Sequence, residues 1–183
     1  MHVSVDGFVA GPNGEMDWIH VEEDMFDYAG QQTDAADTAL YGRVTYQMMD
    51  SYWPNAAAQP NASRHDIQHS QWYNSVDKIV LSRTMQNIGL KQVKLVHDNL
   101  HDEIAKRKQQ EGKNIVIFGS PSVAHLMMHH NLIDDYWLFI NPVILGKGIP
   151  LFKDVEERLK LKLVWDKTFS SKVVGLHYEK ELE

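Results

Sequence analysis

Short β-branched runs alternate along this chain with stretches of helical spacing. Val3–Val5 and Phe8–Ala10 read as a first strand and its continuation, and Gly11-Pro12-Asn13-Gly14 as a turn. Residues 22–36 predict a helix with Met25, Phe26 and Ala29 on one face. Thr38–Tyr41 is a short strand, and Arg43–Ser51 a helix carrying Val44 and Met48 on one face. The segment "PNAAAQPNAS" (54–63) is a loop, followed by a helix near 64–74, a strand at Lys78–Ser82, a strand at Val93–Val96 and a polar-faced helix at Leu100–Gln110. Ile115–Phe118 is a strand that ends abruptly in Gly119-Ser120-Pro121, where a helical pattern starts at once. Tyr136–Leu145 reads as a buried strand that stops at "GKGIP". Two long runs close the chain, Leu159–Phe169 and Lys172–Glu181. In the first, "LKLKLVW" has the period of two of a half-exposed antiparallel strand. The pattern is an α/β one: a βαβ core closed by an antiparallel hairpin.

The stretch 115–152 carries the most chemical information. Ser120 is a good helix N-cap, and Pro121 suits a first helical position. A strand that feeds a helix N-terminus through glycine aims unpaired N–H groups at one spot, which favours a phosphate. Gly42-Arg43-Val44-Thr45 also sits where a strand meets a helix. Gly42 permits close backbone approach and Arg43 offers a planar fork, although residue chemistry alone favours a tight turn with an exposed arginine. Ser82-Arg83-Thr84 ends a strand, the place where open α/β sheets bind ligands, and it too reads as an ordinary turn on chemistry alone. There is no GxGxxG, so a standard Rossmann site is not expected. Asp6 precedes Gly7 at a strand end, as a catalytic carboxylate or a turn aspartate would.

Composition narrows the classes. The 183 residues suit a single domain, 1–183, with one sizeable core. The absence of cysteine excludes disulfides and thiolate chemistry and fits a cytoplasmic protein. Eighteen basic against 25 acidic residues, net −7, argue against a nucleic-acid partner. No apolar run reaches a membrane span, and no signal peptide is expected. Ten histidines include the pair His65 and His69, and His129-His130, but no H-E-x-x-H; surface histidines and no metal are the expectation. Only Met1 and His2 precede "VSVDGF", so the first strand is expected to be short or truncated.

Four motifs occur in a family order: "VSVDGFVAGPNGEMDW" (3–18), "ALYGRVTYQMM" (39–49), "KIVLSRT" (78–84) and "IVIFGSPSV…PVILGKGIPLF" within 115–152. The chain thereby resembles the dihydrofolate-reductase-like family, and within it the reductase domain that forms the C-terminal part of riboflavin-biosynthesis deaminase-reductases. The resemblance implies a three-layer α/β/α fold with a mostly parallel sheet, NADPH as cofactor, a small-molecule substrate and a homodimer. It places Gly42, Arg43 and Thr45, then Ser82, Arg83 and Thr84, then Gly119, Ser120, Ser122 and Val123 against the cofactor, with Arg43 and Arg83 as candidates for its 2′-phosphate. It places Asp6 beside the nicotinamide as the candidate catalytic group. Asp17, Trp18 and Asp24 are the candidates for substrate binding.

Two departures from the family pattern bear on function. Serine replaces the second glycine of the pair at 119–120. Phe118 stands where the pyrimidine reductases of riboflavin synthesis carry glutamate, and the lysine they carry upstream of the serine-x-aspartate-glycine motif has no counterpart here. The resemblance therefore implies an NADPH-dependent reductase of a pterin-like or pyrimidine-like heterocycle with a changed substrate pocket. The alternative is a nucleotide-binding or regulatory module that has lost turnover.

Overall fold

A computed structural model describes residues 1–86, 92–155 and 157–181. The elements in order are β1 (His2–Ser4), β2 (Phe8–Ala10), α1 (Glu23–Asp34), β3 (Ala36–Gly42), α2 (Arg43–Ala56), α3 (Arg64–Ser75), β4 (Asp77–Leu81), β5 (Val93–Val96), α4 (Leu100–Lys108), β6 (Asn114–Ile117), α5 (Pro121–His129), β7 (Asp135–Asn141), β8 (Ile149–Pro150), β9 (Leu161–Thr168) and β10 (Val174–Lys180). The α/β class expected from the pattern is the one observed. Two compact units share the chain: Met25–Val123, and Met1–Asp24 together with Ala124–Glu183.

The contiguous unit holds a four-stranded parallel sheet in the order β5-β4-β3-β6. Parallel register aligns Gly42 with Leu81 and Leu40 with Ile117, so β3, β4 and β6 end along one edge. One side of this sheet packs Ala39, Tyr41, Tyr46, Tyr73, Val76 and Val80 into a core, with Met49, Trp53, Trp72 and Phe118 against it. Helix α2 turns Tyr46, Met49 and Trp53 inward at i, i+3 and i+7. That choice leaves the expected apolar pair outside: Val44 is 70% and Met48 46% exposed. The large aromatic side chains offer more area to bury than Val and Met, and they decide the helix's rotation.

Helix α2 also runs past the predicted loop start, through Pro54 to Ala56. Ala56 is fully buried, so tertiary burial outweighs the backbone bond that proline removes. Helix α3 opens with a capping box. Ser63 Oγ accepts from the Asp66 N–H at 3.1 Å, and the Asp66 carboxylate accepts the Ser63 N–H at 2.9 Å.

His65 and His69 are partly buried rather than free on the surface. Their rings join Phe26, Trp53, Trp72 and Phe118 in one aromatic cluster, with His65 stacked on Phe26 at 3.9 Å and His69 against Trp53 at 4.1 Å. Burial pushes the His69 imidazole down to about 4, with His65 adding to the effect, and it lowers His65 as well.

The discontinuous unit holds a mixed sheet, β1-β7-β10-β9, and a two-stranded pair, β2-β8. β1 runs parallel to β7, which pairs antiparallel with β10, and β10 with β9: this is the expected closing hairpin. Its core is Val3, Val9, Tyr136, Leu138 and Leu151. The strand predicted over Tyr136–Leu145 ends at Asn141, because Pro142 has no N–H for a ladder. The period of two in β9 does not produce a half-buried face. Leu163 and Val164 are 47% and 45% exposed. β9 is an edge strand, and a register shift against β10 between His177 and Tyr178 breaks the alternation.

Candidate cofactor and substrate sites

All ten residues expected at the cofactor lie in the contiguous unit. Gly42 and Leu81 are paired at the carboxyl ends of β3 and β4, and Gly119-Ser120 follows β6. The first turns of α2 and α5 therefore start from neighbouring strands of one edge, where an open parallel sheet takes ligands. The α2 N-terminus has no side-chain cap and no acidic residue in its first turn. Its N–H groups are thus free of competition from the chain's own carboxylates.

Ser120 is built differently from the expectation. It does not act as the N-cap of α5. Its Oγ instead accepts the Gly42 N–H at 2.8 Å, tying the end of β3 to the turn after β6. Gly119 and Ser120 both take positive φ, +65° and +55°. Glycine meets that conformation freely, whereas serine loses about 1–2 kcal/mol in it. Ser120 is 2% exposed, and leaving a buried N–H unpaired costs about 1–3 kcal/mol. The Gly42 bond thus outweighs or balances the strain, which gives a physical reason for serine at this place. Thr45 Cγ2 lies 3.6 Å from where a Gly119 side chain would begin, so Thr45 faces the same turn. Val123 is fully buried and Ser122 is exposed.

Ser82 closes its own turn: its Oγ accepts the N–H of Thr84 at 3.3 Å and of Met85 at 2.9 Å. The hydroxyl thereby serves the backbone, and Arg83 and Thr84 remain exposed to meet a ligand. Arg83 stands 3.6 Å from the Asp98 carboxylate, an exposed pair that holds it weakly. Arg43 donates to Gln47 Oε1 at 3.0 Å on the α2 surface. Both guanidinium groups are available to an anion at modest cost. Phe118 turns its ring onto His69 and Trp72, at 5.9 and 5.6 Å between centroids. A glutamate at this position would have no apolar reason to point there.

The expected catalytic and substrate residues lie in the discontinuous unit. Asp6 is a clamp on the "GKGIP" turn. Its Oδ1 accepts from Ser4 Oγ at 2.7 Å and from the Leu145 N–H at 3.1 Å, and its Oδ2 accepts the Gly146 N–H at 2.7 Å. The Ser4 hydroxyl, with these two amides, holds its carboxyl below the usual range. Asp6 is therefore a fixed carboxylate at neutral pH and a poor proton donor. Trp18 is half-buried and donates Nε1–H to the Glu15 carbonyl at 3.1 Å, while Asp17 is exposed. Asp24 accepts from the N–H and Oγ of Ser170, both at 3.1 Å.

One residue that holds this unit was not singled out from sequence. Asn141 is fully buried; its Oδ1 accepts the His20 N–H at 3.0 Å, and its Nδ2 donates to the Phe139 carbonyl at 3.0 Å. A polar residue inside the apolar run 136–145 was the available signal.

Residues 1–174 match the RibD C-terminal domain family. The chain belongs to that family. Among its relatives, the uncharacterized protein YyaP of Bacillus subtilis (strain 168) is 37% identical over 180 residues, covering 96% of this chain and 90% of YyaP. A protein from Shewanella sp. PV-4 named for riboflavin biosynthesis has a crystal structure that superposes with a TM-score of 0.73 at 23% identity, over 100% of this chain and 97% of its own. Dihydrofolate reductase from Enterococcus faecalis, solved with NADP(H) and RAB-propyl, matches with a TM-score of 0.63 at 17% identity, over 98% and 92% of the two chains. The fold is thus dihydrofolate-reductase-like, and this RibD C-terminal domain sits within a reductase family. No helix among the described residues is long and apolar enough to cross a membrane.

Proposed function

We propose that this RibD C-terminal domain is an NADPH-dependent oxidoreductase acting on a small planar heterocycle, pterin-like or pyrimidine-like. One observation carries the reading: the ends of β3, β4 and β6 share an edge that presents an uncapped helix start, the Gly119-Ser120 turn and the exposed cations Arg43 and Arg83. That donor set fits a dinucleotide phosphate. The α2 amides and Thr45 would hold the pyrophosphate, and Arg43 and Arg83 the 2′-phosphate. Bound NADPH supplies the hydride. The chain's own residues supply position and charge. Asp6, fixed as a carboxylate, accepts hydrogen bonds and orients a water that delivers the proton. Trp18 offers a flat face for the ring, and Asp17 and Asp24 offer acceptors for its N–H groups. The NADP(H) of the Enterococcus reductase supports the cofactor class.

The test is a fluorescence titration with both cofactors. NADPH is expected to bind about ten- to a hundredfold more tightly than NADH, since one charged bidentate contact contributes roughly 1.5–3 kcal/mol. Arg43→Ala and Arg83→Ala should narrow that gap, and equal affinities in the wild type would remove the 2′-phosphate assignment. A second reading, a binding module without turnover, is favoured by Phe118 in place of a polar substrate contact. Oxidation of NADPH by any member of a heterocycle panel excludes it.

The same reading includes a two-fold homodimer, supported by the exposed Leu163 and Val164 on the edge strand β9. Light scattering at micromolar concentration should give twice the chain mass; a monomer mass would reject it.

A further inference from the structure

The geometry points to a divalent transition-metal site on the β7–β10 ladder, made by Asp135, His177 and Glu179. Antiparallel register puts Glu179 directly opposite Asp135 and His177 opposite Trp137. Alternation along each strand then brings Asp135, Trp137, His177 and Glu179 to one face of the sheet. One ligand atom from each of Asp135, His177 and Glu179 lies within 4.8 Å of the others. His177 Nε2 already stands 2.6 Å from Asp135 Oδ1.

A fixed ring separates this trio from an incidental ion pair. His177 is 8% exposed and stacks on the Trp137 indole at 3.7 Å and 11°, so its ring is fixed before any ion arrives. Asp135 and Glu179 are exposed at the rim, so they can close on an ion and leave a position for water. Zinc takes imidazole nitrogen at about 2.0–2.1 Å and carboxylate oxygen at about 2.0–2.2 Å, which sets the donors roughly 3–3.5 Å apart. The Asp135–His177 pair must open slightly and Glu179 must swing in. A one-histidine, two-carboxylate set suits zinc, nickel or cobalt and gives calcium or magnesium too few oxygens. The other histidine pairs do not compete: among the described residues, neither His65 with His69 nor His129 with His130 gathers a third ligand.

The experiment is calorimetry of the untagged full chain with zinc, paired with quenching of tryptophan emission by nickel. One zinc per chain is expected. Glu179→Gln, which removes one of the three donors and leaves the Asp135–His177 contact in place, should weaken it by at least about tenfold without changing the unfolding midpoint. His177→Gln should abolish it, and the double variant His65→Gln/His69→Gln should leave it unchanged. Nickel should quench emission saturably in the wild type and lose that effect in Trp137→Phe. Absence of zinc binding at 100-fold molar excess, or binding unaffected by Glu179→Gln and His177→Gln, would overturn the assignment.

Discussion

Between pH 7 and pH 4 the protein is expected to lose about 3 kcal/mol of folding stability through His69. The side chain sits in an aromatic cluster that pushes its imidazole from an ordinary 6.5 down to about 4. The unfolded chain therefore binds a proton at a pH where the folded one does not. Stability contributed by a base held neutral is whole above the unfolded value. It falls as pH drops from about 6.5 and is gone below about 4. Carboxylates held low, such as Asp6 and Asp66, act in the same direction but in a later window, beginning near the ordinary carboxylate value and continuing below it. The two are separated by measuring urea unfolding at half-unit steps. The wild type should decline steeply from pH 6.5 to 4.5, and His69→Gln should decline less there, keeping the share owed to His2, also pushed down to about 4 by burial, and to His65, while being less stable at pH 7. Parallel declines in the two proteins would mean that the cluster does not hold His69 neutral.

Gly148→Val is expected to cost about 3 kcal/mol or more, the upper range for overpacking. A side chain built at Gly148 runs into the carbonyl of Ala10. That collision is with backbone, which cannot rotate aside, and it falls where β8 pairs with β2. Its neighbour in the same motif gives an internal control. Gly146 has φ +74° but open space around a built side chain, so Gly146→Ala should pay only for conformation, about 1–2 kcal/mol. Chemical denaturation of both variants checks the order. A Gly148→Val protein as stable as Gly146→Ala would show that the β2–β8 pair can part without loss.

Local patterns in the sequence located most elements within one or two residues, because strands such as Lys78–Ser82 carry their own signals in β-branched runs and punctuation. What stayed hidden depends on partners far along the chain. Ser120 looked like a cap because capping is a local habit; its hydroxyl is claimed by Gly42, 78 residues away. Asp6 reads locally as a catalytic carboxylate or a turn aspartate, and its amide partners lie 139 and 140 residues away. The inward face of α2 was misjudged because Val44 and Met48 obey the helical period as well as Tyr46 and Trp53 do, and only the packed sheet chooses between them. The trio Asp135, His177 and Glu179 is invisible in sequence, since strand register alone brings position 135 to position 179.

The pairing of β1 with β7 also has a consequence in time. Among the described residues, β7 is the one strand with which β1 pairs, and the Met1 amine reaches the Trp137 carbonyl across 136 residues. A ribosome adding about 5–20 residues per second makes the partner roughly 7–30 s after the first strand. The contiguous unit, Met25–Val123, can assemble its parallel sheet in that interval. Val3, 4% exposed in the finished protein, spends it unpaired in water. The first strand is thus a hydrophobic segment that waits for a partner made much later.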